Sequence, residues 1–472
     1  MTNARSPAPA LTLKEAALPA LGAVVAFQLA YTFSACSFLI IVYLYCLFQL
    51  ARLKTTRLAF YMGLAIGMAA YAPQSMFLWK IFGAAAIPLW LILAFWVALF
   101  LALARSCAAR FGSVPATLLI PFLWTGLEYF RSELYYLRFS WLNAGYVFSD
   151  NLQWLPLKLF GVYGMGFLFM AVISLSALMQ RKRQIAAQAA LLTVLGVLAN
   201  LPAGRNPSPA SARDGVPVAG VQLEFPSEPQ IIANLNHLIQ KYPQAQLLVL
   251  SEYTVDGPVP ETIKAWCRKN QRYLIIGGKD PAPDSQFYDT VFVIGPSGDI
   301  LFRQAKSVPI QFFKDGLPAR EQKLWESPWG KIGICICYDL SYTRVTDQLI
   351  RLGAQAIIVP SMDAADWGHQ QHELHARVAP IRAAEYGVPV FRLASSGISQ
   401  IVSSSGRVLA TAPMPGEETM ISEVLDLKSP GKLPLDRMIA PLSVWITGLT
   451  IGWLAIVSFQ QKSVSRLQPN PT

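Results

Sequence analysis

Charge is scarce in this chain. Asp, Glu, Lys and Arg make up 14% of its 472 residues, where a soluble globular domain carries about a quarter. Histidine is rarer still, at four, and the cysteines number six, scattered. A strongly apolar, charge-poor composition excludes a disordered chain and a purely cytosolic enzyme, and the cysteine spacing excludes a secreted disulfide scaffold. Apolar side chains fill the gap, at 53% of residues, with a mean hydropathy of +0.38. Lipid is therefore part of the solvent.

Charge-free windows cover 16–51, 58–79, 81–104, 111–127, 159–180, 184–204 and 438–461, and most reach the ~20 residues that cross a hydrocarbon core. A single helix over the first would be about 54 Å long, so it is divided near Thr32 to Ser34. The pattern predicts a polytopic α-helical membrane domain of about eight spans, seven before residue 204 and one at the C-terminus. No cleavable signal peptide is expected, because the first apolar stretch leads into further spans.

The net charge of +11 sits largely in short connectors. Arg52, Lys54 and Arg57 follow span two, Arg105 and Arg110 span four, Arg181, Lys182 and Arg183 span six, Lys462 and Arg466 span eight. The odd exits hold only Lys80 or the thinly spread Arg131, Arg138 and Lys158. This is the positive-inside distribution; it explains the basic balance without nucleic acid and places residues 205–437 on the non-cytoplasmic side. The predicted domains are 1–203 in the membrane, a soluble insert at 204–436, and a final span with a cytoplasmic tail at 437–472. Pro-rich stretches at Asn206–Asp214 and Lys428–Pro434 mark the joins.

Within the insert, short apolar runs at 217–223, 246–251, 273–277, 290–295, 331–337, 354–360, 389–394 and 399–403 alternate with polar helical stretches, which predicts a layered α/β fold. Cys36, Cys46 and Cys107 lie in or beside apolar spans and read as small hydrophobes; Cys267 lies in a basic stretch with nothing to suggest chemistry. Cys337 differs, because Lys331 to Asp339 reads as a buried strand running out to a polar end. A thiol there needs a base and a cation or N–H donors for the oxyanion that follows attack on a carbonyl. Glu252 closes one apolar run and Lys306 sits in the stretch Arg303 to Pro309; singly they read as a solvated strand-end glutamate and a surface lysine. Their order, Glu, Lys, Cys at successive strand ends, raises the trio above that reading. His369, His372 and His375 span six residues and do not readily close on one metal ion from a single helix.

On these residues the chain resembles the nitrilase superfamily, with its Glu-Lys-Cys triad, and within it the bacterial apolipoprotein N-acyltransferases. The resemblance rests on Leu250-Ser251-Glu252, Tyr288-Asp289-Thr290, Gly295-Pro296-Ser297-Gly298, Cys337-Tyr338-Asp339, and Arg382-Ala383-Ala384-Glu385 with Pro389, Arg392 and Gly397. In the membrane half it rests on Pro121 to Trp124, Glu128 and Ser140 to Tyr146. It departs at Ser251, where the family usually has Pro, at Asp339, where it has Glu, and at Val308-Pro309-Ile310-Gln311-Phe312, where it has Val-Pro-Phe-Gly-Glu. Matching on Val308-Pro309 would put Gln304 under the family lysine; Lys306 is preferred because glutamine supplies no charge. Asp315 is the candidate for the missing glutamate.

The resemblance implies an αββα nitrilase-like sandwich on the membrane domain and an N-acyltransferase with Glu252, Lys306 and Cys337 as its triad. Glu252 takes the thiol proton, Cys337 attacks a phospholipid ester, and Lys306 with the Tyr338 N–H holds the oxyanion, while Asp339 orients the nucleophile loop. The thioester is then resolved by the α-amine of an apolipoprotein's diacylglyceryl-cysteine. Trp367 and Tyr338 are candidates for lining an acyl pocket. The alternative is a membrane-tethered amidase with water as acceptor. Neither metal nor cofactor is called for, and the expected setting is a monomer in the bacterial inner membrane with its catalytic domain on the periplasmic side. Substituting Met for Lys306 is expected to leave stability nearly unchanged.

Overall fold

The computed structural model describes residues 10–152, 155–179 and 215–467. The 184–204 window, the basic exit 181–183 and the linker 206–214 lie outside them. The chain begins with α1 (Leu13–Thr32), opened by a Thr12/Glu15 capping box. A 3-10 turn at Ser34–Cys36 then leads into α2 (Leu39–Leu50), so the chain breaks where the 16–51 window was divided. Leu11 N–H donates to Arg52 O at 2.9 Å, which closes α1 and α2 into an antiparallel pair. There follow α3 (Thr56–Gln74), α4 (Phe77–Phe82), α5 (Ala86–Phe111), α6 (Ser113–Tyr129) and α7 (Leu157–Ser176). In α3, Gly63 and Gly67 let α5 approach until an added Cβ would lie 2.6 Å from the Cα of Ala98 or Ala94; small residues four apart drive such packing in lipid.

Four of the described stretches are long and apolar enough to span: Leu13–Thr32, Phe77–Phe111, Leu157–Ser176 and Asp436–Gln461. The expected count of about eight is thus reached only in part. Leu39–Leu50 is apolar but, at 12 residues, only about 18 Å long, short of the ~30 Å core.

The insert is a sandwich of two six-stranded sheets. The first, in order β12-β1-β2-β3-β4-β5, contains β1 (Gly215–Val221), β2 (Leu247–Val249), β3 (Tyr273–Pro281), β4 (Phe287–Ile294), β5 (Ile300–Ala305) and β12 (Met420–Asp426). The second, β11-β10-β9-β8-β7-β6, contains β6 (Leu324–Ser327), β7 (Gly330–Ile334), β8 (Ala356–Ser361), β9 (Val390–Ala394), β10 (Ser399–Val402) and β11 (Val408–Ala412). The strand period of two sorts the apolar residues. In β4, Val291 and Val293 join the core between the sheets, whereas Phe292 and Ile294 pack with Leu235, Leu238 and Ile263 of α8 (Glu228–Lys241) and α9 (Glu261–Asn270). Against the second sheet lie α10 (Thr343–Arg351), α11 (His369–Ala376) and α12 (Val378–Tyr386), which completes the αββα order. The chain returns through α13 (Asp436–Leu467).

Buried ion pairs weld the two halves. Arg437, opening α13, meets Asp347 of α10 at 2.8 Å, Glu385 of α12 at 3.1 Å and Asp436 at 2.6 Å. Asp436 accepts Tyr163 N–H and Glu385 accepts Val162 N–H, both from α7 at 3.0 Å. Glu133, from the turn after α6, accepts Thr343 N–H at the start of α10.

Candidate active site

Strand β7 delivers Cys337 to the end of the second sheet, where the chain enters a 3-10 turn, Cys337–Ser341. Cys337 has φ +51°, a conformation that costs a non-glycine residue of order 1–3 kcal/mol and persists only where the surroundings impose it. Three groups impose it here. The Asp339 carboxylate accepts N–H bonds from Ile336 at 3.2 Å, Ser307 at 3.0 Å and Val308 at 2.7 Å, tying the Cys337 turn to the segment after Lys306. Arg382 donates to Leu340 O and Ser341 O at 3.1 and 2.8 Å, and Trp141 Nε1 donates to Ser341 Oγ at 2.9 Å. Burial and the negative charge of Glu252 push the Cys337 thiol well up, despite Lys306, so the resting group is a thiol that a base must deprotonate.

Glu252 lies just beyond β2, against β3. Gly277 permits this, because a Cβ there would lie 2.6 Å from Glu252 Cα. One carboxylate oxygen accepts Met362 N–H at 2.6 Å and the other Lys306 Nζ at 2.7 Å. The Met362 carbonyl in turn receives the Cys337 Sγ at 3.6 Å, so one residue's backbone touches both the carboxylate and the thiol. Burial would raise the Glu252 carboxyl, but Lys306 and the hydrogen bonds around it hold it below its ordinary range. Lys306 is fully buried, with Asp315 at 2.7 Å and Asp289 at 3.5 Å from its ammonium besides Glu252. These carboxylates overcome burial and raise it well above the usual lysine range. The readings of Lys306 as a surface lysine and Glu252 as a solvated glutamate are therefore overturned. Gln304 bonds the neighbouring loop, donating to Ala305 O and Glu321 O and accepting Lys323 N–H.

Asp315, weighed in the sequence only as a replacement carboxylate, also accepts Tyr253 OH at 2.9 Å and Ile310 N–H at 2.7 Å. Asp289 had no separate signal beyond its tripeptide. A second cluster, invisible in sequence because its members are 12 to 29 residues apart, anchors the Met362 loop: Asp363 pairs with Arg392 and, at 2.8 Å, with His375 Nδ1. Burial opposes ionisation of Asp363, yet Arg392 and His375 hold its carboxyl well below the usual range, while burial and Arg392 lower His375. His369 is exposed, whereas His372 and His375 are buried beside Asp363, so the three do not converge.

Two openings lie at the site, of which the first reaches the thiol. An apolar cleft includes Phe77, Leu93, Phe139, Trp141, Tyr338 and Cys337 in its lining. A more polar opening reaches Glu252, Lys306, Lys279 and Lys314. Phe313 and Trp367 border both, and Phe82 of α4 packs edge-on against Phe312 and Phe313. The arrangement suits acyl transfer through a thioester: a thiol, a carboxylate linked to it through the backbone of Met362, a buried cation, and an apolar slot.

Residues 229–432 match the carbon-nitrogen hydrolase family, and residues 21–175 match the apolipoprotein N-acyltransferase N-terminal domain. The chain is 24% identical over 427 residues to the apolipoprotein N-acyltransferase of Geobacter metallireducens, covering 79% of this chain and 82% of that one. It is 31% identical over 195 residues to the omega-amidase NIT2 of Xenopus tropicalis, covering 37% and 68%. Among solved structures, a carbon-nitrogen hydrolase from Helicobacter pylori aligns over 46% of this chain and 90% of its own, at 18% identity and a TM-score of 0.40. The chain belongs to the nitrilase superfamily and, within it, to the apolipoprotein N-acyltransferases.

Proposed function

We propose that this protein transfers an acyl chain from a phospholipid to the α-amine of an apolipoprotein's N-terminal diacylglyceryl-cysteine, with Glu252, Lys306 and Cys337 as its triad. The observation that carries the reading is the position of Cys337, which ends an apolar cleft on one side and abuts a closed base and cation cluster on the other. Glu252 takes the Sγ proton as sulfur attacks the ester carbonyl, and the carbonyl π electrons move to oxygen. Lys306 and the Tyr338 N–H stabilise that oxyanion. As the oxyanion collapses, the ester C–O bond breaks and Glu252 returns the proton to the departing glycerol oxygen, releasing lysophospholipid. The acceptor amine then attacks the thioester, its proton passes by way of Glu252 to Cys337 sulfur, and an amide forms.

The domains are read as 1–203, 204–436 and 437–472, with about eight crossings, seven in the first domain and one in the last. The geometry supports a periplasmic catalytic domain. The described basic exits after spans two and four lie on one face with the far end of α13, where Arg105 donates to Lys54 O and Arg110 to Gln461. The opposite face meets the sandwich, with Arg377 on Tyr31 O and Gln370 on Pro73 O. Positive charge marks the cytoplasmic face.

The test is transfer in proteoliposomes from a phospholipid labelled in both headgroup and acyl chain to a diacylglyceryl-cysteine peptide. Labelled lysophospholipid and labelled amide should appear in equal amounts, with Cys337→Ala inactive and Cys335→Ala retaining most activity. Release of free fatty acid at the same rate without peptide would instead establish the amidase-like reading, with water as acceptor.

A further inference from the structure

We propose that Asp289 is a neutral carboxylic acid in the working enzyme and that it acts as a positioning residue, donating its proton in a hydrogen bond to Glu252. The inference rests on the reading of Glu252 as the base. It starts from a charge count. Oxygens of Glu252, Asp289 and Asp315 lie within 4.8 Å of one another, and Lys306 is the one cation paired with them among the described residues. Three carboxylates and one ammonium would leave two uncompensated negative charges where no side chain is more than 7% exposed. Burying unpaired charge is far costlier than binding a proton.

The hydrogen bonds show which group carries that proton. Glu252 accepts from Lys306 and Met362 N–H, and Asp315 accepts from Tyr253 OH and Ile310 N–H. Asp289 accepts from nothing: both its oxygens are buried without a hydrogen-bond partner, and the Lys306 ammonium stands 3.5 Å away. An ionised carboxylate only accepts, whereas a protonated one gains a donor. The groups facing Asp289 are Glu252 and Tyr253 beyond β2, Lys306 beyond β5 and Asp315 in the loop that follows, with Cys337 beyond Lys306. Burial and the charge of Glu252 both favour the protonated form of Asp289, against Lys306.

This proton has a task. A donor to Glu252 fixes the carboxylate's orientation and moderates its basicity, so that a proton taken from Cys337 can be given up again to the leaving group. Loss of the Asp289 proton at alkaline pH would place a second anion against the base, raising its proton affinity and slowing that return.

The experiment compares Asp289→Asn with Asp289→Ala in the full-length, membrane-reconstituted protein. Asparagine keeps shape and donor but cannot ionise. Asp289→Asn should form the acyl-enzyme at neutral pH within about fivefold of wild type and shift the alkaline limb of the rate profile upward. Asp289→Ala should fall about tenfold or more, the loss of a hydrogen bond to a charged group. The infrared spectrum of the resting wild-type protein should contain a protonated-carboxylic C=O band that Asp289→Asn removes. If Asp289→Asn is as slow as Asp289→Ala, or if the band is absent, Asp289 is an ionised counter-charge to Lys306 and the inference is wrong. The spectrum is read without turnover, so its failure leaves the Cys337 chemistry standing, whereas absence of any acyl-enzyme defeats the reading on which the inference rests.

Discussion

Lys306 shows how far one side chain's meaning depends on where the fold puts it. In the sequence it is a lysine after a short amphipathic run, and replacing it with methionine looks harmless to stability. In the fold it is fully buried among Glu252, Asp289 and Asp315. Removing one partner from a buried ionic group typically costs 3–5 kcal/mol, because uncompensated charge is left behind. Lys306→Met should therefore lower the thermal unfolding midpoint as well as slow acyl-enzyme formation by about 100 to 1000 fold, the loss expected for one preorganised oxyanion donor. Gln304→Ala, which removes only loop hydrogen bonds, should leave the rate nearly intact. A reversed ranking, measured in the same two assays, would make Gln304 the partner of the site and displace Lys306 from the oxyanion.

At the scale of elements, the strands legible in the sequence were those buried on both faces. Residues 354–360 and 389–394 read directly as apolar runs and became β8 and β9, inside the second sheet. The strands β5, β6, β11 and β12 were missed because they occupy sheet edges, where one face is wet and side chains alternate, as in Ile300 to Ala305. Glu252 and Cys337 were readable because each ends an apolar run, whereas Lys306 follows the missed edge strand β5 and stood out only by its charge and its order with the other two. The grouping of Asp363 with Arg392 and His375 was not readable, since only folding brings a loop, a strand and a helix into one cluster. Arg437 belongs to the same class. It links α10, α12 and α13, and the Arg382 beside it supports the nucleophile turn. Arg437→Met keeps the stem but strands Asp347, Glu385 and Asp436, so it should destabilise the protein by about 3–5 kcal/mol. Thermal unfolding checks this; an unchanged midpoint would show that the two halves are held by apolar packing alone.

For the whole molecule, the membrane half and the sandwich make one chemical device. The apolar cleft is built from both, with Phe77 and Leu93 from the helices, Trp141 from the connector and Cys337 from the second sheet, and Trp141 spans the seam by stacking on His375 and bonding Ser341. On the proposed reading, a lipid-anchored substrate reaches the thiol along that seam without leaving an apolar surface. The most direct check is intact-protein mass spectrometry of the purified, reconstituted enzyme incubated with phospholipid alone and then with a diacylglyceryl-cysteine peptide. The account predicts a mass increase of one acyl chain, mapped to Cys337, stable until peptide is added and then lost as N-acylated peptide forms. An active enzyme that never carries acyl on Cys337, or carries it on another residue, would contradict the account.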